Sequence, residues 1–88
     1  MIALHSADGL HFLGLRQDRS GTYQIVYDGQ GERKRFIWSI TNKQVDEQVL
    51  SRCLTKAVNS DKTLDALQAG LKTAKISFEV HEDLLGRR

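Results

Sequence analysis

Two alternating runs around an Asp-Gly turn constrain this chain more than any other feature. Thr22-Tyr-Gln-Ile-Val-Tyr27 alternates polar and apolar side chains, Asp28-Gly29-Gln30-Gly31 reads as a turn, and residues 32–40 alternate again. Such a pattern is the signature of a β-hairpin. Successive side chains in a strand point to opposite faces. Tyr23, Ile25, Tyr27, Phe36, Trp38 and Ile40 are therefore expected on one face, with Thr22, Gln24, Arg33 and Arg35 on the other.

The pattern extends towards the N-terminus. Asp8-Gly9 as a two-residue turn sets Leu4 against Leu13 and Ile2 against Leu15. A three-residue loop at Asp18-Arg19-Ser20, followed by Gly21, pairs Leu15 with Tyr23 and Leu13 with Ile25. A four-residue turn from Asp28 to Gly31 pairs Tyr23 with Phe36. All three choices continue one apolar face, so turn chemistry and patterning agree on a β-meander.

Two helices follow. Thr41-Asn-Lys-Gln44 has the form of a capping box, and Val45, Val49, Leu50, Cys53, Leu54 and Ala57 recur at helical spacing. Asn59 and Ser60 stop this helix. Asp61 or Ser60 is expected to cap a second one with the stripe Leu64, Leu67 and Leu71. Gly70 weakens that helix by about 1 kcal/mol relative to alanine, and marks either a close approach or a frayed end. Residues 75–81 alternate again, placing Ile76, Phe78 and Val80 on one side of a last strand.

The expected fold is α+β: an antiparallel β-meander of four to five strands with a two-helix hairpin packed on one face, in the order β-β-β-β-α-α-β. Whether the first and last strands are neighbours or opposite edges is left open. A single domain is expected over residues 1–83, with residues 84–88 as a flexible tail. The expected core is Ile2, Leu4, Leu13, Leu15, Tyr23, Ile25, Phe36, Trp38, Ile40, Val49, Cys53, Leu54, Leu67, Leu71, Ile76, Phe78 and Val80.

Bulk properties narrow the function classes. Eighty-eight residues support one core. A formal net charge of +2 is too small to argue for nucleic acid by itself. Cys53 is the only cysteine, which excludes an internal disulfide framework. The first residues do not read as a signal peptide, and no apolar run approaches the ~20 residues of a membrane span. A cytoplasmic location is expected.

The face away from the helices carries the candidate binding residues Phe12, Arg16, Gln24, Val26, Arg33, Arg35 and Ile37. Three readings compete. The first is a plain solvated surface whose arginines guard the sheet. The second is a homodimer or other protein interface, because Phe12, Val26 and Ile37 form an apolar patch. The third is single-stranded nucleic acid, with Arg16, Arg33 and Arg35 on phosphates and Phe12 stacking on a base.

Signals for catalysis are weak. His5 and His11 fall on opposite faces of the first hairpin, so a zinc site with His81 is not expected. Cys53 on an apolar helix stripe reads as core rather than nucleophile. Gly29-Gln30-Gly31 belongs to a hairpin, not to a phosphate loop. The second helix has too few basic groups for a helix-turn-helix reader. No motif implies a metal or cofactor. The expected function is a non-catalytic binding or regulatory module acting through protein contacts, with homodimerisation preferred to nucleic-acid binding.

Overall fold

The computed structural model describes residues 2–29 and 34–84. Five strands, β1 (Ile2–His5), β2 (His11–Gln17), β3 (Tyr23–Gly29), β4 (Lys34–Ile40) and β5 (Phe78–Leu84), form one sheet in the order β1-β2-β3-β4-β5. Every neighbouring pair is antiparallel. Helices α1 (Glu47–Val58) and α2 (Thr63–Thr73) are inserted between β4 and β5. The first and last strands are thus opposite edges of a complete meander.

The first hairpin has the expected register, Leu4 opposite Leu13 and Ile2 opposite Leu15. Its turn is closed by the Asp8 carboxylate, which accepts hydrogen bonds from the Ser6 hydroxyl and the Leu10 N–H. The next two registers differ from expectation. Leu15 faces Ile25 and Leu13 faces Tyr27, two residues away from the expected partners. The loop is Arg19-Ser20-Gly21, because Gly21, with φ of 89°, takes the left-handed position that ends a three-residue hairpin loop. Asp18 fixes this loop, its carboxylate accepting from the N–H groups of Ser20 and Thr22.

Between β3 and β4, Tyr27 faces Phe36 and Ile25 faces Trp38, four residues from the expected pairing of Tyr23 with Phe36. Asp28 and Gly29 end β3 rather than beginning the turn; Gln30 and Gly31 lie outside the described residues. Both displacements are even, so the described residues of these strands stay on their expected faces.

The helical boundaries also move. Residues 41–46 continue beyond β4: the Thr41 N–H donates to the Ser77 carbonyl and Asn42 Oδ1 accepts from the Ser77 N–H. The N-cap of α1 is Asp46, not Thr41, and its carboxylate accepts from the Gln48 N–H at 2.9 Å. The N-cap position of α2 is Lys62, without a side-chain capping bond, while Ser60 Oγ accepts from the Lys62 N–H. Gly70 lies inside α2, and a Cβ there would meet Cys53 Sγ at an ordinary 3.7 Å.

The expected strand at 75–81 begins only at Phe78, because Lys75 and Ile76 terminate α2. The Ile76 N–H donates to the Leu71 carbonyl, the Lys75 N–H donates to the Lys72 carbonyl, and Lys75 has φ of 60°. This is a Schellman cap, in which the left-handed residue normally is glycine. β5 runs through Leu84, and residues 85–88 lie outside the described residues.

The core lies between the sheet and the helices. Leu13, Leu15, Ile25, Tyr27, Trp38 and Ile40 meet Leu50, Leu54, Ala57, Leu67, Leu71 and Ile76. Tyr23, Phe36, Val49, Cys53 and Phe78 pack at its margin, half-buried. Val80 departs from expectation. It faces the helices opposite Trp38 but is 43% exposed. The reason is placement: α1 lies closest to β1 and β2, at the far side of the sheet from β5. No helix among the described residues is long and apolar enough to cross a membrane.

Candidate functional site

The helices cover one face of the sheet and leave the other open. The strand registers order the open face into three rows across the strands. The upper row is Arg16, Gln24, Ser39 and Glu79. The middle row is Ala3, Gly14, Val26, Ile37 and His81. The lower row is His5, Phe12, Asp28, Arg35 and Asp83. Charge and polarity thus flank a mostly apolar band.

The described members of the expected binding set, Phe12, Arg16, Gln24, Val26, Arg35 and Ile37, all lie on this face. Arg33 lies outside the described residues. Val26 is 7% exposed although no helix lies over it; in the registers Gly14 and Ile37 flank it across the strands. Phe12 and Ile37 are half-buried. An apolar band this continuous on the outer side of a sheet is the kind of surface that marks an interaction site.

Local contacts shape the face. Arg16 Nε donates to Gln24 Oε1 at 2.9 Å, which holds the guanidinium against the upper row. The Phe12 ring leans along β2 over Gly14, so closely that a Cβ on Gly14 would lie 3.1 Å from Phe12 Cζ. His5 packs beside the same ring, with centroids 5.0 Å apart and a tilt of 55°. A shallow concavity of about 210 Å³ results, lined by Phe12, Gly14, Arg16, Val26, Asp28 and Arg35, among others.

Asp28 is the residue that sequence reasoning missed. Assigning it to a turn hid its place on the face. Alternation alone puts it there, since it is two residues beyond Val26. It stands directly opposite Arg35. Its Oδ1 is buried and has no hydrogen-bond donor among the described residues.

No protein-family model matches the chain, and no curated protein or solved structure is significantly similar to it.

Other chemistry-bearing residues are dispersed or occupied. His5 and His81 share the open face but sit on β1 and β5, the two edges, separated by three strands. His11 points to the covered side, where its Nδ1 lies 2.7 Å from the Tyr27 hydroxyl. No group of three or more His, Cys, Asp or Glu among the described residues could hold a metal ion. Cys53 lies in a groove between the helices, half-buried. Desolvation pushes its thiol pKa up, against a weaker pull from Lys56 and Arg52, which disfavours the thiolate a nucleophile needs.

A wider polar recess of about 740 Å³ lies at the end of the sheet, between the β2–β3 loop and residues 41–45. Several of its polar groups serve the fold itself. Gln17 Nε2 donates to the Gly21 carbonyl, Asn42 holds Ser77, and the Tyr23 hydroxyl donates to Glu47 at 3.0 Å.

Proposed function

We propose that this chain is a non-catalytic binding module that acts through protein contacts and associates with a second copy of itself through the open sheet face. The observation that carries this reading is the middle row. Ala3, Gly14, Val26 and Ile37 make an apolar band across four strands, between two rows that contain both signs of charge. A surface of that kind suits a partner of the same mixed character.

Size is compatible. Five strands spaced about 4.8 Å apart, with about 3.4 Å per residue along each, present roughly 500 Å² in projection. Two such faces bury about 1,000 Å², the lower limit for specific association. The expected affinity is correspondingly modest, in the micromolar range. The lone cysteine Cys53, half-buried and disfavoured as a thiolate, supports a non-catalytic protein of the reducing cytoplasm.

Sedimentation equilibrium from about 10 μM to about 1 mM tests the reading. The expected result is a reversible monomer–dimer equilibrium. A chain that stays monomeric across that range contradicts it.

Single-stranded nucleic acid is the second reading. The Phe12 ring lying over Gly14 beside Arg16 favours it as a stacking platform. Asp28 weighs against it, because a carboxylate in the same row as Phe12 repels phosphate. Absence of any fluorescence anisotropy change with single-stranded DNA or RNA oligonucleotides at low salt would remove this alternative.

A further inference from the structure

We propose that the outer edge of β5 takes up an extended, basic segment of another protein as a further antiparallel strand. This surface is separate from the open sheet face and does not depend on it.

The sheet ends in two edges that differ. β1 has four residues, and α1 packs against it. β5 has seven, each opposite a residue of β4 without a bulge, and it contains neither proline nor glycine. No described strand lies beyond it. A long, regular edge of this kind is a template for strand addition.

The backbone of β5 has groups to offer. The Ser77 N–H donates to Asn42 Oδ1 and the Ser77 carbonyl accepts from the Thr41 N–H, so both turn towards the β4 side. Along an antiparallel pair this direction alternates from residue to residue. Phe78, Val80 and Glu82 therefore turn their N–H and C=O groups outwards, where an added strand bonds them.

The side chains of β5 set the chemistry of that strand. Val80 is 43% exposed on the helix side of the sheet, and Phe78 beside it is half-buried. An apolar side chain opposite Val80 shields both. The strand carries Glu79, Glu82 and Asp83, with no lysine or arginine. Glu79 is exposed and stands opposite Ser39 on β4. A second β5 laid along the first would double the acidic charge at one seam. Even the register that sets Glu79 opposite His81 lays Glu82 on Phe78. Basic side chains at alternate positions neutralise the acids instead, so the charge that holds copies apart selects a cationic partner.

The probe is a peptide of alternating lysine and valine, about nine residues long, added to the isotope-labelled chain and followed by amide NMR and hydrogen exchange. The amides of Phe78, Val80 and Glu82 should shift, saturate below about 1 mM peptide and exchange at least about tenfold more slowly. The same peptide N-methylated at its valines keeps its charge but loses the donors that face β5, and should not protect these amides. A glutamate–valine peptide of equal length should bind at least about tenfold more weakly. Glu79→Lys, a change at an exposed position, should weaken the lysine–valine peptide about threefold and strengthen the glutamate–valine one.

No binding up to about 1 mM, binding that leaves the three amides unprotected, or equal protection by the N-methylated peptide overturns the strand addition. A glutamate–valine peptide that binds as tightly overturns the choice of a basic segment. Protection of the same amides in the chain alone, rising with its concentration, overturns the choice of partner in favour of a second copy. Self-association through the open face is read separately, at the amides of Gly14, Val26 and Ile37.

Discussion

The ring of Phe12 covers Gly14, its neighbour two residues along β2: a Cβ placed on Gly14 would lie 3.1 Å from Phe12 Cζ and 3.2 Å from Cε2. The contact is with the far end of a side chain on an open face, so the ring has room to turn aside. Gly14→Ala should then change stability by less than about 0.5 kcal/mol, because the relief of glycine's unfolded-state entropy offsets the displaced contact. The shape of the open face changes at the same time. Urea denaturation near wild type, together with self-association weakened severalfold in sedimentation, is the expected pair of results. An unchanged dimer would detach Phe12 from the interface.

The start of α1 gives a second prediction. Asp46 accepts from the Gln48 N–H, whereas Thr41 contributes its backbone N–H to the Ser77 carbonyl, five residues before the cap. Asp46→Ala should destabilise the protein by about 1 kcal/mol. Thr41→Ala, at an exposed position, should stay within about 0.5 kcal/mol. Matched urea melts decide between the two starts, and the reverse order of effects would place the helix start at Thr41.

How much was legible in the sequence follows from what each signal can encode. Alternation has a period of two, so it determines the face of Tyr23, Phe36 or Trp38 but leaves the register open by even steps. Leu15 opposite Tyr23 and Leu15 opposite Ile25 satisfy it equally. The choice belongs to the loop, where Gly21 must occupy the left-handed position. The same limitation hid Asp28: an Asp-Gly pair reads as a turn, yet here it completes β3. Thr41 reads as a cap, but pairing with Ser77 draws it into an extended segment and Asp46 caps α1 instead. The exposure of Val80 depends on where α1 lies across the sheet, which no local pattern records. The apolar–basic composition of the open face was readable; its division into rows needed the true registers.

Asp18 makes the β2–β3 loop sensitive to acid. The Ser20 hydroxyl, followed after a smaller opposing desolvation by the N–H groups of Thr22, Ser20 and Gly21, holds its carboxyl below the usual aspartate pKa. A folded-state pKa below the unfolded one adds stability that is present above the unfolded pKa and lost as pH falls through the folded one. Asp18→Asn should therefore lower the urea midpoint at about pH 7, and the gap to wild type should narrow at about pH 2. A gap that is constant across this range would mean that the charge of Asp18 is irrelevant to the loop.

Lys75 carries the clearest backbone strain in the described chain. It is the non-glycine residue with positive φ, at 60°, and it occupies the glycine position of the Schellman cap on α2. An L-residue in this conformation costs roughly 1–2 kcal/mol through the contact of its Cβ with the following carbonyl. The cap persists because Ile76, buried next in sequence, docks beside Leu71 and makes the closing hydrogen bond. Lys75 is exposed, so removing its side chain sacrifices no core contact. Lys75→Gly should raise stability by about 1 kcal/mol, less than the full strain because glycine also gains freedom in the unfolded chain. Lys75→Val should do the opposite, since a β-branched residue tolerates this region poorly. Urea midpoints in the order Gly above Lys above Val establish the cap; a Gly variant less stable than wild type would mean that α2 does not end in this way.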